Sequence, residues 1–285
     1  MTTVGTPEVT GATEPEGRVR DPRDRVVLSG VSKSFAGTAA DAPPAVADID
    51  LTIEPGEFVC VVGPSGCGKT TLLKMLAGFT APTTGSVTVG GVPVGEPTPD
   101  RGVVFQAPTL YPWLDVERNV GYGLRAQRVE RRERRERVTA MLRTVGLEGS
   151  GRLRPYELSG GMQQRAQIAR VLVTDPRIIL MDEPFAALDQ FTRESLQVEL
   201  LRLWREKGKT VVFITHSVEE AVFLATRIVV LSARPGRVVI DRPVSLPGDG
   251  PDVVRDPEVK ATPEFQELRT RLTQAIVEAH TRGYR

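Results

Sequence analysis

Short apolar stretches recur along this chain at 58–62, 102–105, 177–181, 210–214 and 227–231. Runs of this length without polar alternation read as strands covered on both faces, and helical patterns follow several of them. A mostly parallel α/β sheet is therefore expected. Ahead of and among these runs, 26–35, 46–53 and 85–94 have strand character, separated by Gly/Pro-rich turns at 37–44 and 90–97. A segment of different texture lies at roughly 107–175. There Val138, Met141, Leu142 and Val145 recur at helical spacing behind the charged run Arg128 to Arg137, and Met162, Ala166, Ala169 and Val173 mark another amphipathic helix. The charged run alternates sign, which predicts a solvated, salt-bridged helix face, with a functional basic patch as the alternative. Residues 1–24 show no periodicity and read as a disordered tail. Beyond 235, turns and prolines lead to one short helix near 263–280, and no internal repeat is present.

Composition narrows the class. A chain of 285 residues, 40% hydrophobic, can bury a full core. Lysine and arginine number 37 against 36 acidic residues, so no general basic field attracts nucleic acid, which is not expected as a partner. Two cysteines, Cys60 and Cys67, are too few for a disulfide framework and suit a reducing cytosol. Neither a signal peptide nor an apolar run of membrane-spanning length is seen, so any membrane role is expected to come through a partner.

The chemistry begins where 58–62 ends. Gly63, Pro64, Ser65, Gly66, Cys67, Gly68, Lys69 and Thr70 spell G-x-x-x-x-G-K-[ST] between a strand and a predicted helix at 69–77. That is the context of a phosphate loop. Glycines let successive N–H groups turn toward phosphates, the helix start adds partial positive charge, and Lys69 adds a full one. Thr70 offers a hydroxyl to Mg²⁺, and Thr71 is expected to bind the nucleotide with the loop. Nucleoside triphosphate binding is the expectation. In Ile178-Ile-Leu-Met-Asp-Glu-Pro184, a buried strand ends at Asp182, placed to hold Mg²⁺, and Glu183 can polarise a water. His216 and Gln106 follow two further strands of the same sheet and could reach the γ-phosphate and the metal. Taken alone, a histidine there is more often a satisfied polar residue than a catalyst. Leu158-Ser-Gly-Gly-Met162 opens a helix with free N–H groups and a hydroxyl. Alone it would be an ordinary cap, but one nucleotide needs one phosphate loop, so Ser159, Gly160 and Gly161 suggest a site serving another subunit's nucleotide.

In this order the motifs resemble the ATP-binding subunits of ABC transporters over roughly residues 25–245. They are the Walker A loop 63–70, the Q-loop Gln106, the signature 158–162, Walker B 178–182 with Glu183, the D-loop Ala187-Leu-Asp189 and the switch His216. Phe35 matches the aromatic that stacks on adenine. The resemblance implies a P-loop NTPase with a RecA-like, mostly parallel core, an antiparallel β subdomain and a helical signature subdomain at about 107–175. Residues 246–285 form a C-terminal extension. It further implies an ATPase using ATP and Mg²⁺, with Thr70, Gln106 and Asp182 at the metal. Lys69 and the loop amides hold phosphates, Glu183 is the base and His216 orients the γ-phosphate. A head-to-tail homodimer would close Ser159–Gly161 over the partner's ATP, on the cytoplasmic face of the cell membrane, with a permease and, indirectly, an extracytoplasmic solute-binding protein.

Ala107-Pro-Thr-Leu-Tyr-Pro-Trp113, Thr215–Ala221, Leu231–Gly236, Pro243–Pro247 and the Pro263-Glu-Phe helix are similar to one importer branch, that of nitrate, taurine and aliphatic sulfonates. Taurine or a sulfonate leads; nitrate and pyrimidine-type vitamin precursors are the alternatives. Tyr111 and Trp113 are expected to line a groove for a permease helix, an aromatic core segment being the other reading. A soluble ABC ATPase, a P-loop kinase and an exporter subunit are the rivals. Alkylation of Cys67 is expected to inhibit, with ATP protecting.

Overall fold

The computed structural model describes residues 21–35, 43–250 and 254–282. The turn expected at 37–44 lies mostly outside them, as does the tail up to residue 20. In chain order the elements are β1 (Val26–Lys33), β2 (Val46–Ile53), β3 (Phe58–Val62), α1 (Lys69–Ala77), β4 (Thr84–Val89), β5 (Val92–Pro93), β6 (Arg101–Val104), α2 (Val116–Val120), α3 (Tyr122–Ala126), α4 (Arg131–Thr144), α5 (Gly160–Leu172), β7 (Ile178–Asp182), α6 (Gln190–Lys207), β8 (Thr210–Ile214), α7 (Val218–Leu224), β9 (Arg227–Leu231), β10 (Val238–Pro243) and α8 (Pro263–Arg282).

Every residue of β3, β7 and β8 is buried, which is why these runs carry no polar alternation. They belong to a six-stranded sheet of order β10-β9-β3-β8-β7-β6, parallel except for β10. Alternate side chains feed two cores. Phe58, Cys60, Met181 and Phe213 join the helices α2 to α8 on one side, while Val59, Val61, Leu180 and Ile214 face α1 and the antiparallel sheet β2-β1-β4-β5. All the parallel strands end on the same edge, so the loops after β3, β6, β7 and β8 open onto one crevice.

Four details differ from the sequence expectations. The stretch 85–94 is two strands, because Gly90 and Gly91 both adopt positive φ, +58° and +78°, and turn the chain. β10 was not anticipated. It pairs antiparallel with β9 at the sheet edge, where no residue is fully buried, so no apolar run announces it. The C-terminal helix is not short: α8 has 20 residues and buries Phe265 and Leu272. Finally, Pro22–Asp24 form a 3-10 turn, and Arg177 bonds Asp21 at 2.9 Å and Asp24 at 2.7 Å. The charged run on α4 forms the salt-bridged face that was expected, and part of it borders a groove. Arg132–Glu136 and Arg137–Glu133 pair along the helix at 3.0 and 3.4 Å, each worth about 0.3–0.5 kcal/mol, while Arg131, Arg134 and Arg135 line a groove. Among the described residues no helix is long and apolar enough to cross a membrane.

Candidate active site

The loop after β3 owes its shape to Gly68. This residue caps α1 in the left-handed region at φ +95°, and a Cβ there would lie 2.4 Å from Val46 Cγ1 and 2.6 Å from the Ala45 carbonyl oxygen. No side chain caps α1, so the N–H groups of its first turn remain available to an anion. Lys69 is 7% exposed, and its Nζ donates to the carbonyl oxygens of Gly63 at 2.8 Å and Pro64 at 3.0 Å. The ammonium is thereby held inside the curve of the loop. Beside it lies a cleft of ≈ 390 Å³ lined by Phe35, Ala45, Ser65, Gly66, Gly68, Lys69, Thr70, Thr71, Gln106, Glu183 and Arg234. Gly63, Pro64 and Cys67 stand behind it. Cys67 is 1% exposed, and burial pushes its thiol up from the ordinary range. A buried, protonated thiol is a poor target for alkylation, so the expected Cys67 chemistry does not fit the structure.

Asp182 is the last residue of β7. It is 5% exposed and accepts a hydrogen bond from the Thr70 hydroxyl. Burial raises its carboxyl above the usual range, an effect opposed by the Thr70 bond and reinforced by the charge of Glu183. Glu183 leaves the strand in the left-handed region, φ +46°, with its N–H donating to the Ile214 carbonyl at 2.9 Å. That conformation costs about 1–2 kcal/mol in a non-glycine residue, and such strain gathers at functional positions. Glu183 Oε2 accepts from Gln106 Nε2 at 3.2 Å and lies 3.1 Å from His216 Nδ1. Three residues from three different strand ends thus meet on one oxygen. Gln106 and His216 each stand two residues beyond their strands, β6 and β8.

Among the described residues no group of three or more His, Cys, Asp or Glu could hold a metal by itself. A hydroxyl, a buried carboxylate and an amide instead make an all-oxygen donor set. It fits Mg²⁺, which keeps its waters and takes one or two carboxylates plus substrate phosphates.

Ser159 and Gly160 do not line this cleft. Ser159 is exposed and caps α5, accepting from the Met162 N–H at 3.3 Å. A Cβ on Gly161 would sit 3.5 Å from the Ala187 carbonyl oxygen, so the signature turn rests on the D-loop of its own chain and presents its other side outward. Three residues here escaped the sequence reading. Gln167 is fully buried; its Nε2 donates to the Phe105 carbonyl at 2.6 Å and its Oε1 accepts from the Thr109 N–H at 2.7 Å. Arg170 donates to the Thr109 carbonyl at 2.9 Å and lies over Tyr111. Arg234 joins the cleft wall. The available signal for the first was a glutamine on the apolar face of an amphipathic helix; Arg234 in its loop left none.

A strand, a glycine-capped helix start with a buried lysine, and a carboxylate pair at the end of a second parallel strand define a P-loop nucleoside triphosphatase. A family model described as ABC transporter matches residues 46–186. An uncharacterized ABC transporter ATP-binding protein of Methanocaldococcus jannaschii is 55% identical over 68% of this chain and 73% of its own length. The taurine import ATP-binding protein TauB of Escherichia coli strain K12 is 45% identical over 82% of this chain and 92% of its own. A solved dimeric structure of an ATP-binding cassette, in a post-hydrolysis state bound to ADP and phosphate, superposes with a TM-score of 0.70 at 34% identity, covering 77% of this chain and 99% of that one. The structure of cbiO1 from Clostridium perfringens, part of the ABC transporter complex cbiONQ, gives a TM-score of 0.67 at 25% identity, covering 88% of this chain and 96% of that one. The chain belongs to the ABC transporter ATP-binding family: it binds ATP and is the ATP-hydrolysing subunit of a transporter.

Proposed function

We propose that this ATPase works as a homodimer on the cytoplasmic face of the cell membrane and energises import of taurine or a related sulfonate through a permease. The observation that carries the catalytic part is the convergence of Gln106 and His216 on Glu183 Oε2. Glu183 takes the proton of the attacking water. His216 and Gln106 fix its carboxylate and align the γ-phosphate. Lys69 exchanges its two loop carbonyls for phosphate oxygens, and the first-turn N–H groups of α1 complete the cradle. Phe35, half exposed, stacks on the adenine. Thr70, Asp182 and Gln106 would hold Mg²⁺, which when bound would neutralise charge developing on the phosphates. The exposed Ser159–Gly161 turn serves the nucleotide of the second copy, because in its own chain it lies away from the cleft. The solved dimer bound to ADP and phosphate supports this pairing.

A groove of ≈ 840 Å³ in the helical subdomain is the permease surface, lined by Trp113 and Tyr122 together with Arg118, Arg125, Arg131, Arg134, Arg135 and Arg152. Trp113 is 66% exposed, and Tyr111 packs on both aromatics at 5.5 and 4.8 Å between centroids. Only Asp115 and Glu117 oppose six arginines along its lining, so a short helix bearing carboxylates fits it. Asn119, fully buried, ties Tyr111 from both sides and holds the aromatic loop beside Gln106. The likeness to TauB across 92% of that protein supports taurine. The test is ATPase activity in proteoliposomes holding the permease co-purified with this subunit, with a solute-binding protein added. Stimulation by the taurine-loaded binding protein is expected. Stimulation by nitrate or a pyrimidine instead would replace the substrate, and failure to co-purify any permease would remove the transport reading.

A further inference from the structure

The short helix α7 begins one residue after Ser217 caps it, and Ser217 follows His216 directly. Its first turn is anchored by Glu220, 8% exposed, which accepts from Gln197 Nε2 of α6 at 2.9 Å and from the Thr215 hydroxyl. Its last turn carries no basic residue of its own, although the terminal carbonyls of a helix need donors. Arg255 supplies them from the C-terminal extension. It is 7% exposed, and its Nη1 donates to the carbonyl oxygens of Val222 at 3.2 Å, Phe223 at 2.9 Å and Ala225 at 2.8 Å. Its Nε and Nη2 fork onto Asp249 at 2.8 and 2.7 Å. Further along the extension, Lys260 pairs with Glu219 of α7 at 3.3 Å and Glu194 of α6 at 3.5 Å, and lies 4.9 Å from the Phe223 ring. Phe265 of α8 is fully buried in the same core.

We propose that Asp249, Arg255 and the α8 segment clamp α7 so that His216 stays in register with Glu183, with Arg255 as the positioning residue. Seven helical residues form a rod of about 10 Å. Movement at the Arg255 end is therefore passed to the histidine at the other, and the clamp gives the C-terminal extension a part in turnover. A buried arginine whose three guanidinium nitrogens all bond one helix end or one carboxylate is better placed for this than for surface solubility. The effect on turnover rests on the role proposed for His216.

The chain holds two histidines, His216 and His280, so in a His280→Gln background the imidazole Cε1–H resonance reports His216 alone. In the full-length protein, Arg255→Met is expected to shift or broaden that resonance. It should lower kcat about ten- to a hundredfold, the scale of lost alignment, while KM for MgATP stays within about twofold. Arg255→Lys should restore part of both. Asp249→Asn, which keeps the arginine, should give the same change at smaller amplitude and covers the case in which Arg255→Met does not fold. An unmoved His216 resonance in these variants overturns the clamp. So does a loss in Arg255→Met that multiplies with that of His216→Ala, because action through the histidine requires the double variant to be no slower than His216→Ala. A resonance that moves while His216→Ala retains full turnover leaves the clamp standing and removes the histidine's catalytic role instead.

Discussion

Three glycines separate what the fold requires from what the proposed dimer requires. Gly68→Ala places a methyl 2.4 Å from Val46 Cγ1 and 2.6 Å from the Ala45 carbonyl oxygen, at φ +95°. The left-handed conformation costs about 1–2 kcal/mol and the overpacking about 1–3 kcal/mol. Together they come to about 2–5 kcal/mol, which lowers Tm by about 4–20 °C in a chain of this size. Gly66→Ala meets the same backbone cost at φ +77° but no atom within 4 Å, so it loses only about 1–2 kcal/mol. Gly160→Ala has neither problem: it opens α5, its φ is not positive, and no atom lies within 4 Å. Its stability should stay within about 0.5 kcal/mol of the parent. Yet a methyl between Ser159 and Gly161 obstructs the approach of those N–H groups to a second subunit's nucleotide. Turnover should fall about a hundredfold, the scale of losing an oxyanion donor, with ATP binding by the monomer unchanged. Thermal melts, nucleotide titration at low protein concentration and steady-state hydrolysis at high concentration read all three. A Gly160→Ala protein as unstable as Gly68→Ala would break the steric reasoning, and one with full turnover would remove the signature turn from the shared site.

Glu183→Gln keeps the volume and the backbone but removes the base, so hydrolysis should drop about 10²–10⁴-fold while ATP still binds; a phosphate-release assay showing parental turnover would reassign the base. Glu220 is buried and its carboxyl is raised above the usual range, mainly by desolvation. Its contribution to stability is present in full below the unfolded-state value and lost as pH rises through the higher folded value. Glu220→Gln should therefore gain Tm relative to the parent as pH rises above the ordinary carboxylate range; a gain that shrinks with rising pH would contradict the burial argument. Iodoacetamide should label neither Cys67 nor Cys60 in the native protein, since both are buried and both thiols are raised by burial. Labelling by mass spectrometry at the rate of an unfolded control would show that the phosphate loop opens.

The parts of the fold legible in the sequence are those where burial is two-sided or a backbone need is unique. β3 and β8 fall on the residues that the apolar runs mark, because a strand covered on both faces cannot carry polar positions, and β2 falls on 46–53 with Asp48 and Asp50 exposed on its open face. α1 starts at Lys69 as the glycine loop requires. β10 was invisible because an edge strand with alternating exposure and a terminal proline looks like a turn region. Gly90 and Gly91 were visible as turn residues but not as a division between strands, since two residues of β5 carry too little pattern. In the site, the phosphate loop and the carboxylates were legible from local spacing. The meeting of Gln106 and His216 on a single oxygen, and the grip of Arg255 on α7, depend on strand order and on contacts across 30 or more positions. No local pattern contains them.

Helix α5 joins the separate parts into one device. Its N-terminus is the Ser159 turn, and about one and two turns later Gln164 and Gln167 hold the Phe105 carbonyl at 3.3 and 2.6 Å, one residue before Gln106. One turn further, Arg170 holds Thr109 and covers Tyr111 of the aromatic loop. A force on the groove around Trp113 therefore reaches Gln106 and the signature turn through the same rigid rod. If the proposed permease helix sits among these arginines, its movement would pass through α5 to both Gln106, which touches Glu183, and the Ser159 turn. Replacing Gln167 by Leu keeps the helix face buried but cuts the bonds to Phe105 and Thr109. Hydrolysis by the isolated dimer should survive, while stimulation by the permease should fall; equal loss of both would mean that the glutamine supports the fold rather than the coupling.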